Sequence, residues 1–301
     1  MSAIGHMASR VLVNGVYYRA LEMFPGAAPM LTRSVARGLG AFSASLRSVV
    51  AENARLALGG SATAEDVHRV TSTVILRMQN AIRDTLSSST STADALADRI
   101  VDFSGQDGYH RARAHARGML VASIHMGSFE PCLALLRKYE SRVHVLFHPD
   151  PMPRFEQARS RMRASIGIVE HRVSDGVDAW IALRDALEAN EVVVMHADRV
   201  MPRQHGARMS FLGIDDAVLP TGPVRLAVGC GAAIVPAFCT QGAGGLAVTM
   251  DDPICMPQEI LRSHEVPGHA AQRQLVASME RAIRGSPDQW LAFWRVRGGA
   301  P

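Results

Sequence analysis

The rhythm of apolar positions changes near residue 118. Upstream, over residues 29 to 117, apolar side chains recur at helical spacing. Residues 41 to 58 read as a helix stopped by Gly59-Gly60, and the stretch from Ser61 to Glu65 opens the next, with Val67, Val70, Val74 and Leu76 on its inner face. Ser87 to Thr92 is a short polar loop. Downstream, short apolar runs alternate with helical stretches. Strands are predicted at residues 119–125, 143–147, 191–196, 233–239 and 246–250, and helices at 129–139, 154–164, 176–189, 221–229 and 270–284. Residues 203–208 read as a polar loop. The alternation predicts an α/β fold, a mostly parallel central sheet flanked by helices, with an N-terminal helical section over residues 1–117 packed on a core of residues 118–301 as one structural unit.

Composition narrows the picture. With 301 residues, 48% hydrophobic and 20% charged, the chain suits an ordinary soluble globular protein with a large core. The net charge is +4, carried almost wholly by arginine since Lys138 is the one lysine, so an acidic partner, an anionic surface or a phosphate group would be welcome. No basic block interleaved with aromatics points to nucleic acid. Cys132, Cys230, Cys239 and Cys255 lack CxxC spacing and read as small core residues of a reducing compartment. No apolar run reaches the length of a spanning helix; residues 9–23 read as a helix packed on its own domain, with a weakly amphipathic helix on a membrane surface as the alternative. The expected location is cytoplasmic, with the inner face of the cell membrane as the place of any peripheral contact.

His125 and Glu130 carry the candidate chemistry. Chance alone supplies about one His-x4-acid pair among 12 histidines and 28 acids, so the spacing by itself decides nothing. The setting decides more. His125 ends an apolar run, Gly127 turns the chain, and Glu130 falls in the first turn of the following helix, where an open α/β sheet places its chemistry. An imidazole there suits removing a proton from a hydroxyl or amine. Arg159 and Arg163 share a helix face at i, i+4 and could hold a phosphate or carboxylate, or simply form a solvated basic face. Asp198 follows a second strand end and could bind an acceptor hydroxyl, coordinate a cation or, by default, cap the next turn, and His196 beside it reads as a buried, hydrogen-bonded histidine. Thr221 reads as the N-cap of an apolar helix whose free amides, with Gly222, would suit an anion, although capping alone accounts for them. No GxGxxG, P-loop, GxSxG or HExxH motif occurs.

Taken in order, these motifs resemble the late (lauroyl/myristoyl) acyltransferases of lipid A biosynthesis, within the lysophospholipid acyltransferase superfamily. The segment from His125 to Glu130 resembles the family's His-x-Gly-x-Trp-Glu box, with Phe129 at the Trp position. Arg163 to Gly167, the strand ending at Asp198, the segment from Ser210 to Gly222, Ala232 to Pro236 and Pro287 to Leu291 follow at family-like spacing, and Val50 to Asn53 resembles its early helix. The resemblance implies acyl transfer from a phosphopantetheine-linked thioester, on acyl carrier protein or coenzyme A, to a hydroxyl or amine of a lipid or small-molecule acceptor, with no metal or other cofactor. It implies that His125 deprotonates the acceptor while Glu130 holds the imidazole. Arg163 would hold a phosphate, supported by Asp198, with Ser128, Arg159, Thr221 and Gly222 as further substrate contacts. A thioester hydrolase using the same pair, or a non-catalytic lipid- or carrier-binding relative, are the alternatives.

Overall fold

A computed structural model of the chain describes residues 16–201, 204, 206–255 and 269–296. The opening part is helical: α1 (Tyr18–Met23), α2 (Ala28–Phe42), α3 (Ala44–Leu58), α4 (Ala64–Ser87) and α5 (Ala93–Ala97). The helix expected over 41–58 is interrupted. Ser43 leaves helical geometry at φ −94°, ψ 83°, and the Arg47 guanidinium donates to the carbonyls of Gly40 and Ala41 at 2.6 and 3.0 Å, satisfying the end of α2. The predicted start near residues 61–65 is realised at Thr63. Its hydroxyl accepts from the Asp66 amide at 3.1 Å and the Asp66 carboxylate accepts from the Thr63 amide at 3.2 Å, a reciprocal cap. Residues 9–15 of the helix considered at 9–23 lie outside the described residues; in the described part, Tyr18 and Leu21 of α1 are buried with Ala28, Leu86 and Ala158, as in a helix packed on its own domain.

From there the chain alternates: β1 (Ile100–Ser104), α6 (Gln106–Ala114), β2 (Met119–Ser123), α7 (Phe129–Tyr139), β3 (Val143–Phe147), α8 (Pro153–Ser165), β4 (Ile168–Arg172), α9 (Val177–Glu188) and β5 (Val192–His196). A hairpin of β6 (Gly206–Phe211) and β7 (Ile214–Pro220) leads to α10 (Gly222–Cys230), β8 (Ala233–Gln241), β9 (Leu246–Met250) and α11 (His269–Gly285). Seven strands form one sheet in the order β1-β9-β8-β2-β5-β3-β4. Within this sheet, among the described residues, only the β8–β9 pairing is antiparallel.

Three expectations change. Residues 100–104, expected within a helical section, form the edge strand β1 and pair with β9, so the sheet reaches back across residue 117. The edge strand β4, Ile-Val-Glu-His-Arg, is too polar to stand out as a buried run. The expected loop at 203–208 contains the start of β6, where Arg208 and Met209 pair with Val218 and Ala217; Arg203 lies outside the described residues.

Both faces of the central strands are covered, which is why β2 and β5 read as unbroken apolar runs. On one face Leu120, Ala122, Val193, Met195 and Ile234 pack with Leu183, Leu187, Val224, Leu275 and Met279 of α9, α10 and α11. On the other, Met119, Val121, Val145 and Val194 pack with Ala112, Leu133, Leu136 and Met162 of α6, α7 and α8. A separate cluster joins Val50, Ala54, Val67, Val70 and Val74 of α3 and α4 to Leu291 and Phe293 of the closing segment. The pairing of Ser123 with His196 sets the C-terminal ends of β2 and β5 side by side. That shared end, at the centre of the sheet, is where an open α/β fold receives ligands.

Candidate active site

Two residues beyond β2 and two beyond β5, the chain places His125 and Asp198 in contact. The His125 amide donates to Asp198 Oδ2 at 3.0 Å, and His125 Nδ1 lies 2.8 Å from Asp198 Oδ1. Burial would raise the Asp198 pKa, but the adjoining His125, with its hydrogen bond, outweighs it; with help from Trp290 the value falls to about 2. An ionised carboxylate only accepts hydrogen bonds. Nδ1 must therefore carry a proton, which leaves the Nε2 lone pair of a neutral His125 free to take another.

The C-terminal segment completes this arrangement. The Leu291 amide donates to the His125 carbonyl at 2.7 Å, and Met126 bridges to Trp290. Trp290 Nε1 then donates to Asp198 Oδ2 at 3.0 Å, while the Trp294 ring stands edge-on to His125 with centroids 5.1 Å apart. Asn53 of α3 fastens the segment, its side-chain amide donating to the carbonyls of Ala292 and Trp294 at 2.9 and 2.8 Å. The turn after β2 needs Gly127. Its φ is +63°, and a Cβ there would meet the Cys239 carbonyl oxygen at 2.4 Å.

His196, the last residue of β5, stacks on His125 with ring centroids 4.2 Å apart and a 23° interplanar angle. Phe129 packs against it at 4.6 Å. Burial, with the nearby His125, lowers the His196 pKa to about 3, so this imidazole is neutral at neutral pH. The hydrogen bond expected for it is absent: among the described residues neither ring nitrogen has a protein partner.

The pairing expected between His125 and Glu130 is corrected. Glu130 is buried in the first turn of α7, and its Oε1 accepts from Arg159 Nε at 3.0 Å. The carboxylate on His125 is instead supplied by a neighbouring strand end, 73 positions away. Arg163 is also corrected. Its side chain is fully buried, paired with Glu156 at 2.8 Å and with Glu170, and stacked on Phe147 at 4.5 Å, so it ties α8 to β4 rather than facing a ligand. The i, i+4 face shared with Arg159 is thus split between two roles. Arg159, half-buried, takes the one that faces the cavities. Burial would lower its pKa, but Glu130 beside it reverses the shift.

Two cavities meet at His125. One, of about 680 Å³, runs between the ends of β3 and β5 and the start of α10; its walls include Trp180, Thr221, Gly222 and Arg225. The other, of about 340 Å³, lies beneath α4 and the closing segment, lined by Ser128, Glu130, Phe293 and Trp294 among others. His125, Phe129, Arg159, His196 and Arg199 border both. The Arg199 guanidinium lies over Trp294 at 5.1 Å. Trp294, Arg199 and the stacking of His196 were not anticipated. The closing aromatics offered the one sequence signal, since Trp290 falls in the family-like ending.

The family model for bacterial lipid A biosynthesis acyltransferases matches residues 7–296, and the chain belongs to that family. It is an acyltransferase by that membership. Comparison with curated protein sequences returns no match.

Proposed function

We propose that this acyltransferase moves a fatty acyl group from a phosphopantetheine-linked thioester, on acyl carrier protein or coenzyme A, to a hydroxyl or amine of a lipid or small-molecule acceptor, with His125 as general base. The observation that supports this most is the contact of Asp198 with His125 Nδ1 at 2.8 Å. Asp198 pins Nδ1, and the free Nε2 belongs to a residue bordering two cavities, one for each substrate of a transfer reaction.

In the proposed reaction the acceptor hydroxyl gives its proton to His125 Nε2 as its oxygen attacks the thioester carbonyl carbon. The tetrahedral intermediate collapses, the carbon–sulfur bond breaks, and His125 returns the proton to the leaving thiolate. Ester and free thiol result. Asp198 stays ionised and stabilises the transient imidazolium. Arg159, Arg199 and Arg225 line the larger cavity and suit a phosphate on the pantetheine arm or the acceptor. Glu130 acts through Arg159, so Glu130→Gln should fall more on KM than on kcat. Ser128, Thr221 and Gly222 remain substrate contacts by position, one in the smaller cavity and two in the larger.

The lipid side of the reading draws on a surface feature. Met23, Phe24 and Met30 are exposed around α1 and the start of α2, a chemistry that suits peripheral contact with a membrane. Among the described residues no helix is long and apolar enough to cross one. The test is to incubate the purified protein with acyl-carrier-protein thioesters and a cell lipid extract, then read acylated products by mass spectrometry. New acylated products that vanish with His125→Ala are expected. Thiol release with water as sole acceptor would instead make the protein a hydrolase.

A further inference from the structure

We infer that His196 is a second catalytic histidine, whose neutral imidazole donates a hydrogen bond to the oxyanion that forms as the thioester carbonyl is attacked. The inference rests on the acyl-transfer reading of His125 and adds to it a residue that stabilises the developing charge.

The geometry carries the argument. A base that takes the acceptor's proton and a donor that meets the carbonyl oxygen must stand a short distance apart, because attacking and attacked atoms approach to about 3–3.5 Å before bonding. The rings of His125 and His196 are 4.2 Å apart and nearly parallel. Both border the same two cavities, so one reactive group can reach both. Asp198 holds the Nδ1 edge of His125, while both rings contribute to the cavity walls. Phe129 covers part of the His196 ring and contributes no polar group. Among the described residues, His196 spends neither nitrogen on a protein hydrogen bond, and this half-buried ring borders both cavities, so its N–H is available to a ligand.

The electrostatics agree. A cationic His196 would repel the imidazolium that His125 becomes, whereas a neutral one does not compete with it. Burial and His125 itself keep His196 unprotonated at neutral pH, and a neutral imidazole still carries one N–H to donate. Through the cycle the proton travels from acceptor to His125 to thiolate, and the carbonyl electron pair moves to oxygen and back. His196 gains and loses nothing; its N–H bond is polarised and restored. Preorganised donors of this kind act where water is excluded and require no reorganisation as the charge appears.

The alternative role is passive, with His196 acting as a flat surface that holds the His125 ring. Two substitutions separate the roles. His196→Phe keeps the ring and removes the donor; His196→Asn keeps an N–H donor and removes the ring. Lauroyl-acyl carrier protein is the donor probe, with a total lipid extract or water as acceptor, and free thiol release gives kcat and KM. The expected result is a kcat loss for His196→Phe on the order of 10²–10³-fold with KM nearly unchanged, and at least about tenfold recovery in His196→Asn relative to Phe. A His196→Phe enzyme within about threefold of the parent, or an Asn variant no faster than Phe, overturns the donor role. Circular dichroism establishes that each variant folds. Should the Phe variant not fold, His196→Asn is compared with His196→Ala, and equal rates overturn the proposal. Activity surviving in His125→Ala would instead bring down His125 as the general base, and thiol release with water as sole acceptor would bring down the acyl-transfer reading, both separate outcomes.

Discussion

At the scale of single residues, charge and tautomer govern the site. Asp198 has a fully buried side chain and accepts three hydrogen bonds, two from His125 and one from Trp290. Asp198→Asn presents an amide whose orientation can reverse the His125 tautomer, and the expected cost in kcat is about 10²–10⁴-fold, the range of a general base put out of action. Folding should persist, checked by thermal melting. His196 gives a pH prediction. Its folded pKa of about 3 lies below the unfolded histidine value near 6.5, so the unfolded chain takes up a proton that the fold refuses. The resulting stability is complete above about pH 6.5 and is lost progressively as pH falls toward 3. His125, Asp198, Phe129 and Arg159 surround it, and His171 shifts the same way elsewhere. Melting temperatures between pH 7 and 5 should decline less steeply in His196→Phe than in the parent. An unchanged slope would mean that His196 is not held neutral by the fold.

At the scale of elements, strand ends and one returning segment build the site, and this explains what the sequence could reveal. His125 and Asp198 were visible as strand-end residues because apolar runs lead into both. Their pairing was not visible, since it depends on β2 and β5 being neighbours, and β3 and β4 do not lie between them. Glu130 was near in sequence and on the right helix, yet one turn of α7 aims it at Arg159. Arg159 and Arg163 shared a predicted face, but only the packing of α8 on Phe147 of β3 and Glu170 of β4 decides which guanidinium is buried. Alternating apolar runs gave β2, β3, β5, β8 and β9; polar or half-exposed strands such as β1 and β4 carry no comparable signal. Arg163→Ala leaves two carboxylates without their partner, so it should lower stability by about 3 kcal/mol or more, read by denaturant unfolding, with KM little changed in the variant that remains folded. A KM effect without a stability loss would contradict the structural role.

At the scale of the whole molecule, helices from one end of the chain and aromatics from the other close over the edge of a sheet built from the middle. Asn53 in α3, Arg77 in α4 and Gln241 in β8 each hold the closing segment, through Ala292 and Trp294, Asp288 and Gln289 respectively. Asn53→Ala removes two hydrogen bonds at once. It should cost on the order of 1–3 kcal/mol and also reduce kcat, because Trp290 and Trp294 lose their anchor beside His125. The same architecture exposes apolar side chains of α1 and α2 while Tyr18 of α1 borders the smaller cavity, so under the proposed function a lipid substrate would enter from that apolar side.

In the proposed reaction His125, held by Asp198, removes the acceptor's proton. The most direct measurement of that step is the kcat of purified Asp198→Asn beside that of Glu130→Gln, with lauroyl-acyl carrier protein as donor and product counted by mass spectrometry. The account predicts a loss of about 10²-fold or more in kcat for Asp198→Asn, against a Glu130→Gln effect carried mainly by KM. Near-parental kcat in Asp198→Asn, with the collapse falling on Glu130→Gln instead, would contradict it.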